Sequence, residues 1–299
     1  MVNNQLQKAA FLGLGLMGSA MSANLARQGF SVKGWNRTSD RPGITIAKEA
    51  GVRIVSSLKE AVESADFIFT CVGDVPDVEE VILGEKGVIN YAQSGALIVD
   101  FSTIGSEAAR HIGSKLKAHH LRFLDAPISG GDIGAKQGTL TIMVGGEIAD
   151  FEACLPYFQA MGKTIRHCGP VGSGQAVKMC NQALCSVHMV ALCEAILMAQ
   201  KQGIDPNLMI EVCSTGAAGS WALSNLGSKI INQEYDPGFA IKHILKDLRL
   251  LQQTINNSGE QLPGVELASH LFKLVSEMDN GEGKEQGTQA MIRQYIKEN

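Results

Sequence analysis

The sequence predicts an α/β chain: a doubly wound parallel sheet in the N-terminal part, followed by an all-helical C-terminal domain. Three observations predict this. Short apolar runs alternate with helical patterns up to residue 168, and such alternation builds a parallel sheet with helices on both faces. A glycine-rich turn, Gly13-Leu14-Gly15-Leu16-Met17-Gly18, sits at the first strand-to-helix junction. After Gly169-Pro170 the strand signals stop and only helical patterns follow.

Taken in order, Ala9–Leu14, Val32–Asn36, Phe67–Cys71, Ala96–Phe101 and Arg122–Ala126 read as strands. Met17–Gln28, Ile44–Glu49, Leu58–Ser64, Asp77–Leu83 and Ser106–Ala118 read as the helices between them. Thr139–Val144 adds a strand that ends at Gly145-Gly146. Helices are then expected over 174–201, 206–214, 222–232, 240–256, 262–278 and 287–297. The boundary falls at residue 168, giving a sheet domain over 1–168 and an all-helical domain over 169–299. The 174–201 helix has apolar side chains on nearly every face and reads as buried all round.

Bulk properties exclude several function classes. A chain of 299 residues can bury two cores. A net charge of −4 leaves no electrostatic footprint for nucleic acid or an anionic membrane, so an anionic ligand has to be captured locally. Seven cysteines form an odd set without Cys-x-x-Cys or zinc spacing, and no metal site is expected. Cys180, Cys185 and Cys193 read as small hydrophobes packed in the long helix, which suits a reducing cytoplasm. Glycines interrupt the apolar stretch Ala9–Met17, so it does not read as a signal peptide. The uncharged run between Lys178 and Glu194 is short and carries Asn181, Gln182 and His188, so no membrane span is expected there.

The Gly-x-Gly-x-x-Gly run is informative because it follows a strand and opens a helix, the Rossmann-type context. Gly13 permits the tight turn, Gly15 lets the backbone approach a pyrophosphate, and Gly18 lets helix and strand pack closely. Gly13, Leu14, Gly15, Leu16, Met17 and Gly18 are therefore expected against a dinucleotide, as is Val72 past the Phe67–Cys71 strand. The second strand ends Trp35-Asn36-Arg37-Thr38-Ser39. No acid stands there to hold a ribose 2′-hydroxyl, and Arg37 suits a 2′-phosphate with hydroxyls beside it. The expected cofactor is NADP(H), held in part by Asn36, Arg37 and Thr38.

Lys178 lies in the first turns of the apolar helix, with Asn181 three residues on. A buried ammonium is costly unless paired or used, and a buried lysine is readily tuned for acid–base work. Spacing alone leaves open a structural lysine paired to a carboxylate. Asp125-Ala126-Pro127-Ile128-Ser129-Gly130-Gly131 enters a glycine turn whose amides and serine hydroxyl suit a carboxylate, although this segment by itself also reads as a simple turn. Lys246-Asp247 flanks the apolar stripe Ile241, Ile244, Leu245, Leu248, Leu251 and reads, by pattern, as a solvated edge. Gly162-Lys163-Thr164 lacks the first glycine of a phosphate loop, His119-His120 has poor ligand geometry, and no nucleophile-elbow serine is present.

Four segments in this order resemble the β-hydroxyacid dehydrogenase family, which includes 3-hydroxyisobutyrate dehydrogenase, tartronate semialdehyde reductase and glyoxylate/succinic semialdehyde reductase. They are Gly13–Gly18; Asp125–Gly131 with Gly138-Thr139-Leu140; Gly174-x-x-x-Lys178-x-x-Asn181; and Lys246-Asp247-Leu248. The resemblance runs from Ala9 to near the end of the chain. It implies that Lys178 is the catalytic acid/base and that Ser129, Gly130 and Gly131 hold the substrate. It further implies that Asn181 orients the substrate, that Thr103 and Lys246 lie by the nicotinamide, and that Phe239 and Asp247 line the pocket. Homodimers or homotetramers are the family's usual assemblies. Asn36-Arg37-Thr38 replaces the acidic strand end of NAD-dependent hydroxyisobutyrate enzymes. With Ser220-Trp221 and Lys246-Asp247-Leu248-Arg249-Leu250, it most resembles the NADPH-dependent glyoxylate/succinic semialdehyde reductases.

The implied activity is NADPH-dependent reduction of a small carboxylate-bearing aldehyde to the hydroxy acid. The alternatives are NAD(P)-dependent oxidation of a 3-hydroxy acid such as 3-hydroxyisobutyrate, and a non-catalytic dinucleotide-binding protein. An imine reductase is disfavoured because such enzymes usually replace the lysine.

Overall fold

The computed structural model describes residues 8–256 and 259–296. The chain divides into two compact units, Met1–Lys178 and Met179–Asn299. The division falls inside the long helix, beyond the boundary expected at residue 168, because the first turn of that helix is tied to strand ends of the first unit.

Among its described residues the first unit holds a sheet of nine strands, mostly parallel. They are β1 (Ala9–Leu12), β2 (Val32–Trp35), β3 (Arg53–Ile54), β4 (Phe67–Thr70), β5 (Leu97–Asp100), β6 (Arg122–Asp125), β7 (Ile128–Ser129), β8 (Leu140–Gly145) and β9 (Gly162–Gly169). The order is β3-β2-β1-β4-β5-β6-β8-β7, with β9 also on β8. The register aligns Leu12 with Thr70, and Thr70 with Asp100, so these strands end level. Chain direction across the sheet reverses between β1 and β4, the switch point where open α/β sheets bind ligands. β8 runs antiparallel to β6 and β7.

Period-two side-chain alternation gives the sheet two apolar faces. Phe11, Phe69, Val99 and Leu124 go to one face with Met21, Leu25, Tyr157 and Phe158. Leu12, Ile68, Ile98 and Phe123 go to the other with Val62, Val78, Ile112 and Leu116. The covering helices are α1 (Leu16–Arg27), α2 (Pro42–Glu49), α3 (Leu58–Val62), α4 (Val75–Leu83), α5 (Gly105–Ala118), α6 (Gly131–Gln137) and α7 (Ile148–Met161). Two of these, α6 and α7, were not expected from the sequence. Pro156 lies inside α7 and breaks its helical reading, yet Cys154, Tyr157, Phe158 and Met161 bury one face of it.

The second unit is helical among its described residues. It comprises the rest of α8 (Ser173–Lys201), then α9 (Pro206–Ser214), α10 (Trp221–Ile231), α11 (Ile241–Asn256) and α12 (Pro263–Glu277). Two 3₁₀ segments follow, Asp279–Glu285 and Thr288–Gln294. The expected helix over 287–297 is thus a 3₁₀ segment as far as it is described, and residue 297 lies outside the described residues. Its core is built by Met189, Leu192, Ile196, Ile244, Leu248, Val265, Phe272 and Met291, all buried.

The 29-residue α8 departs from its expected burial. Val177, Leu184, Val187 and Met198 are exposed. Cys180 and Cys185 are exposed as well, and only Cys193 of that trio packs inside. By length and composition alone α8 would cross a membrane, a test that the run between Lys178 and Glu194 does not capture; 44% of its most apolar window is buried inside the protein.

Candidate active site

The glycine turn between β1 and α1 is shaped by what a side chain would strike. Gly13 adopts φ +94°, and a Cβ there would overlap the Cys71 carbonyl oxygen at the end of β4 and crowd Val72. A Cβ at Gly18 would overlap the Gly13 carbonyl oxygen, so α1 starts hard against the turn. Gly15 differs: a Cβ there would meet nothing within 4 Å. The N-terminus of α1 has no side-chain cap and no acid in its first turn. An uncapped helix start with a positive dipole end, beside a glycine with room around it, fits a pyrophosphate. The Leu14 amide donates to Asn36 Oδ1 at 2.8 Å, and Asn36 Nδ2 donates to the Thr38 carbonyl at 2.7 Å. Asn36 thus braces the turn against the end of β2. Leu16 and Met17 open α1, with Leu16 exposed.

Arg37 is exposed and already faces a carboxylate: Nη1 lies 3.1 Å from Asp77 Oδ1. Asp77 belongs to the capping box of α4, where its other oxygen accepts from the Asp74 amide. The second strand carries no acid at its end, but the fold brings one from α4. Thr38 is exposed beside it.

At the carboxyl ends of β5 and β6 two buried acids organise the loops. Asp100 Oδ1 accepts from the Thr70 hydroxyl at 2.7 Å and from the Ser102 hydroxyl at 2.7 Å. Asp100 Oδ2 is buried without a hydrogen-bond partner among the described residues. Burial pushes the Asp100 carboxyl up from 3.8 to about 6, against the pull of those hydroxyls. Ser102 Oγ also accepts from the Val72 amide at 3.0 Å, joining the β4 and β5 loops. Thr103 follows, half-buried.

Asp125 accepts from the Gly172 amide at 2.6 Å and from the Gln175 amide at 2.9 Å, so it caps the start of α8. Burial raises its carboxyl despite those amides. Gly174 admits this close approach, because a Cβ there would overlap the Met143 carbonyl oxygen.

The capped helix carries Lys178, 6% exposed, to the start of β7. Its Nζ donates to the Ile128 carbonyl at 2.8 Å across 50 residues of sequence. Ser129 comes next, then Gly130 and Gly131 with φ of +129° and +62°. The structure therefore gathers Lys178 and the Ser129–Gly131 turn, which the sequence offered as separate candidates.

The remaining candidates lie in the second unit. Asn181 is half-buried, and its Nδ2 donates to Gln182 Oε1 at 2.8 Å. Gln182 Nε2 donates in turn to Asp247 Oδ2 at 2.6 Å. Asp247 is buried, and Lys246 Nζ lies 3.0 Å from its Oδ1. Lys246-Asp247 is thus an enclosed ion pair and not a solvated edge. The apolar stripe of α11 explains this, since Asp247 lies on the buried side between Ile244 and Leu248. Phe239 is partly exposed and stacks on His243, with centroids 6.0 Å apart.

Sequence reasoning missed Asp77, Gln175 and Gln182. Gln175 and Gln182 had a weak local signal, their i−3 and i+4 spacing from Lys178 along one helix; Asp77 had none. The partners of all three arrive from elements distant in sequence.

Comparison with known proteins identifies the family. The family model described as the NAD binding domain of 6-phosphogluconate dehydrogenase matches residues 8–169. A second, described as the NAD-binding of NADP-dependent 3-hydroxyisobutyrate dehydrogenase, matches residues 172–295. An uncharacterised oxidoreductase of Synechocystis is 51% identical over 97% of this chain and 98% of its own length. The 2-hydroxy-3-oxopropionate reductase of Escherichia coli is 37% identical over 89% of this chain and 90% of its own. The solved structure of Mycobacterium tuberculosis 3-hydroxyisobutyrate dehydrogenase with L-serine is 30% identical, with a TM-score of 0.87 over 97% of this chain and 99% of that one. Family matches that together span nearly the whole chain, and relatives alike from end to end, show that the chain belongs to the β-hydroxyacid dehydrogenase family and is a dinucleotide-dependent oxidoreductase acting on hydroxyl groups.

Proposed function

We propose that the chain reduces a small carboxylate-bearing aldehyde, such as glyoxylate or succinic semialdehyde, to the hydroxy acid with NADPH. The observation that carries this reading is Lys178 Nζ at the Ile128 carbonyl, beside the Ser129–Gly131 turn. A proton donor and a carboxylate-sized set of amides at one place suit an acid aldehyde. The nicotinamide, when bound, supplies the hydride. Lys178 hydrogen-bonds the carbonyl oxygen and delivers its proton as negative charge develops there. Ser129 and the Gly130 and Gly131 amides hold the carboxylate and so fix the carbonyl carbon in place. Thr103 and Lys246 serve the nicotinamide, Asn181 orients the substrate, and Phe239 and Asp247 bound it. Residues 1–168 hold the dinucleotide, with 169–299 as the substrate and dimerisation domain.

The NADP preference rests on Arg37 with Asn36 and Thr38, without an acid at the end of β2. A reductive direction follows, because cells generally hold that pool reduced. The seven free thiols suit a reducing cytoplasm. The exposed apolar side chains of α8 suit a homodimer or homotetramer, which light scattering of the purified protein tests directly.

One observation favours a second reading. The mycobacterial relative is a 3-hydroxyisobutyrate dehydrogenase solved with L-serine. In that direction neutral Lys178 accepts the hydroxyl proton of a 3-hydroxy acid. An activity panel of glyoxylate, succinic semialdehyde, tartronate semialdehyde, 3-hydroxyisobutyrate and L-serine, each with both cofactors, separates the two. The highest kcat/KM is expected for an acid aldehyde with NADPH. A higher value for 3-hydroxyisobutyrate or L-serine with NAD would replace the first reading by the second.

A further inference from the structure

Gln175 is fully enclosed, at 0% exposure, yet it is polar. Its carboxamide meets three backbone groups of one loop. Nε2 donates to the Ser102 carbonyl at 2.8 Å, and Oε1 accepts from the Ile104 and Gly105 amides at 3.0 Å each. Gly105 turns there with φ +77°, which directs these groups inward, and without Gln175 they would be buried and unpaired. The backbone groups flanking Thr103 are thus held by one side chain. On the strand side the same loop is held by Asp100, which accepts from the Ser102 hydroxyl and amide. The backbone of Gln175 is fixed in turn by Asp125, and Lys178 follows one turn later on the same helix.

We propose that Gln175 is a positioning residue for the reaction: its carboxamide locks the Ser102–Gly105 loop, and Thr103 with it, in register with the Lys178 ammonium. This rests on the reading of Lys178 as the proton donor. The chemistry selects glutamine specifically. One carboxamide supplies a donor for the carbonyl and an acceptor shared by two amides. An ionised glutamate keeps the acceptor but turns a second oxygen against the Ser102 carbonyl. An apolar side chain of similar volume satisfies none of the three.

The test uses the full chain with Gln175→Met, Gln175→Glu and Lys178→Ala. It reads melting temperature, NADPH affinity, and kcat and KM for the best acid aldehyde across pH. Gln175→Met should lower kcat roughly tenfold to a hundredfold, the scale of a misplaced reacting group, while NADPH affinity changes by less than about threefold. Gln175→Glu should recover kcat as pH falls, because the neutral carboxyl again donates to the Ser102 carbonyl; the wild type should lack that limb. Asp125 on β6 faces the Gln175 backbone, Asp100 on β5 faces Ser102, and Lys178 shares the helix. These groups are present in every Gln175 variant, so the difference from wild type isolates position 175. Gln175→Met, if it does not fold, drops out and Gln175→Glu at low pH decides. Folded variants with kcat within about twofold of wild type overturn the proposal, as does a glutamate variant equally impaired at all pH. If Lys178→Ala keeps turnover, the reading of the site fails and this proposal with it. If Lys178→Ala is inactive while both Gln175 variants are fully active, only the role of Gln175 fails.

Discussion

At Lys178 the sequence places an ammonium in a helix where most neighbours are apolar, and the Ile128 carbonyl receives it at 2.8 Å. A lysine buried at such a place is readily tuned for acid–base work. Lys178→Ala should lower kcat by roughly 10²–10⁴ and leave NADPH affinity near wild type. Single-turnover kinetics together with equilibrium cofactor titration check both halves, and near-wild-type kcat would remove Lys178 from the chemistry. Ser129→Ala should raise KM for an acid aldehyde more than for an uncharged aldehyde of similar size; equal losses would mean the turn does not hold the carboxylate.

Arg37 offers a second comparison at the same scale. Its contact with Asp77 is exposed and worth little by itself, about 1 kcal/mol at most. A 2′-phosphate presents more charge and a bidentate geometry, and should displace Asp77. Arg37→Ala should cost NADPH more than about tenfold in affinity and leave NADH nearly unchanged, from the roughly 1.5–3 kcal/mol of a hydrogen bond to a charged group. Matching losses for both cofactors would make Arg37 a support of the fold.

Among elements, the start of α8 depends most on a single partner. Asp125 supplies both capping bonds from the end of β6. Asp125→Ala strands the Gly172 and Gln175 amides and should cost about 2–4 kcal/mol in urea unfolding. Because that turn precedes Lys178, kcat should fall further than stability alone explains. A loss confined to stability would show that capping and chemistry are independent.

Elements also show where sequence reading succeeds. The turn Gly13–Gly18 was legible because its function is local: six consecutive residues hold the whole signal, and the overlaps at Gly13 and Gly18 account for two of its glycines. The core strands β1, β4 and β5 were legible because burial on both faces makes them apolar up to the polar Thr70 and Asp100 that end β4 and β5. β3 and β7 have two residues each and carry no period. β9 is largely uncovered and reads as polar chain. Asp247 was misread because a charge beside an apolar stripe gives no sign that Gln182, 65 residues earlier, encloses it. The same limit hid Gln175, whose partners lie 70 to 73 residues away.

For the molecule as a whole, the buried acids at the strand ends set a pH dependence of stability. Asp100 has its carboxyl raised from 3.8 to about 6 by burial. Between those values the folded protein binds a proton that the unfolded chain has released. This contribution therefore stabilises the fold most at low pH and is withdrawn as pH rises from 4 to 6. A shift of that size corresponds to about 3 kcal/mol over the window. Asp100→Asn cannot titrate. Its stability relative to wild type should therefore improve as pH rises from 4 to 6, whatever fixed cost the amide adds. Parallel stability curves for the two proteins would show that Asp100 is not the group responsible.

The division of the chain at Lys178 and Met179 sets a rule for recombination. A chimera of two relatives joined at 169 would take the anion turn from one parent and Gln175 and Lys178 from the other. A joint after Lys178 inherits the lysine, its Ile128 contact, the Asp125 cap and the Gln175 fastening as a single block. Libraries built with the later joint should yield more active hybrids than those built with the earlier one. In that sense the unit of inheritance for proton transfer is the N-terminal part of the chain together with the first two turns of α8.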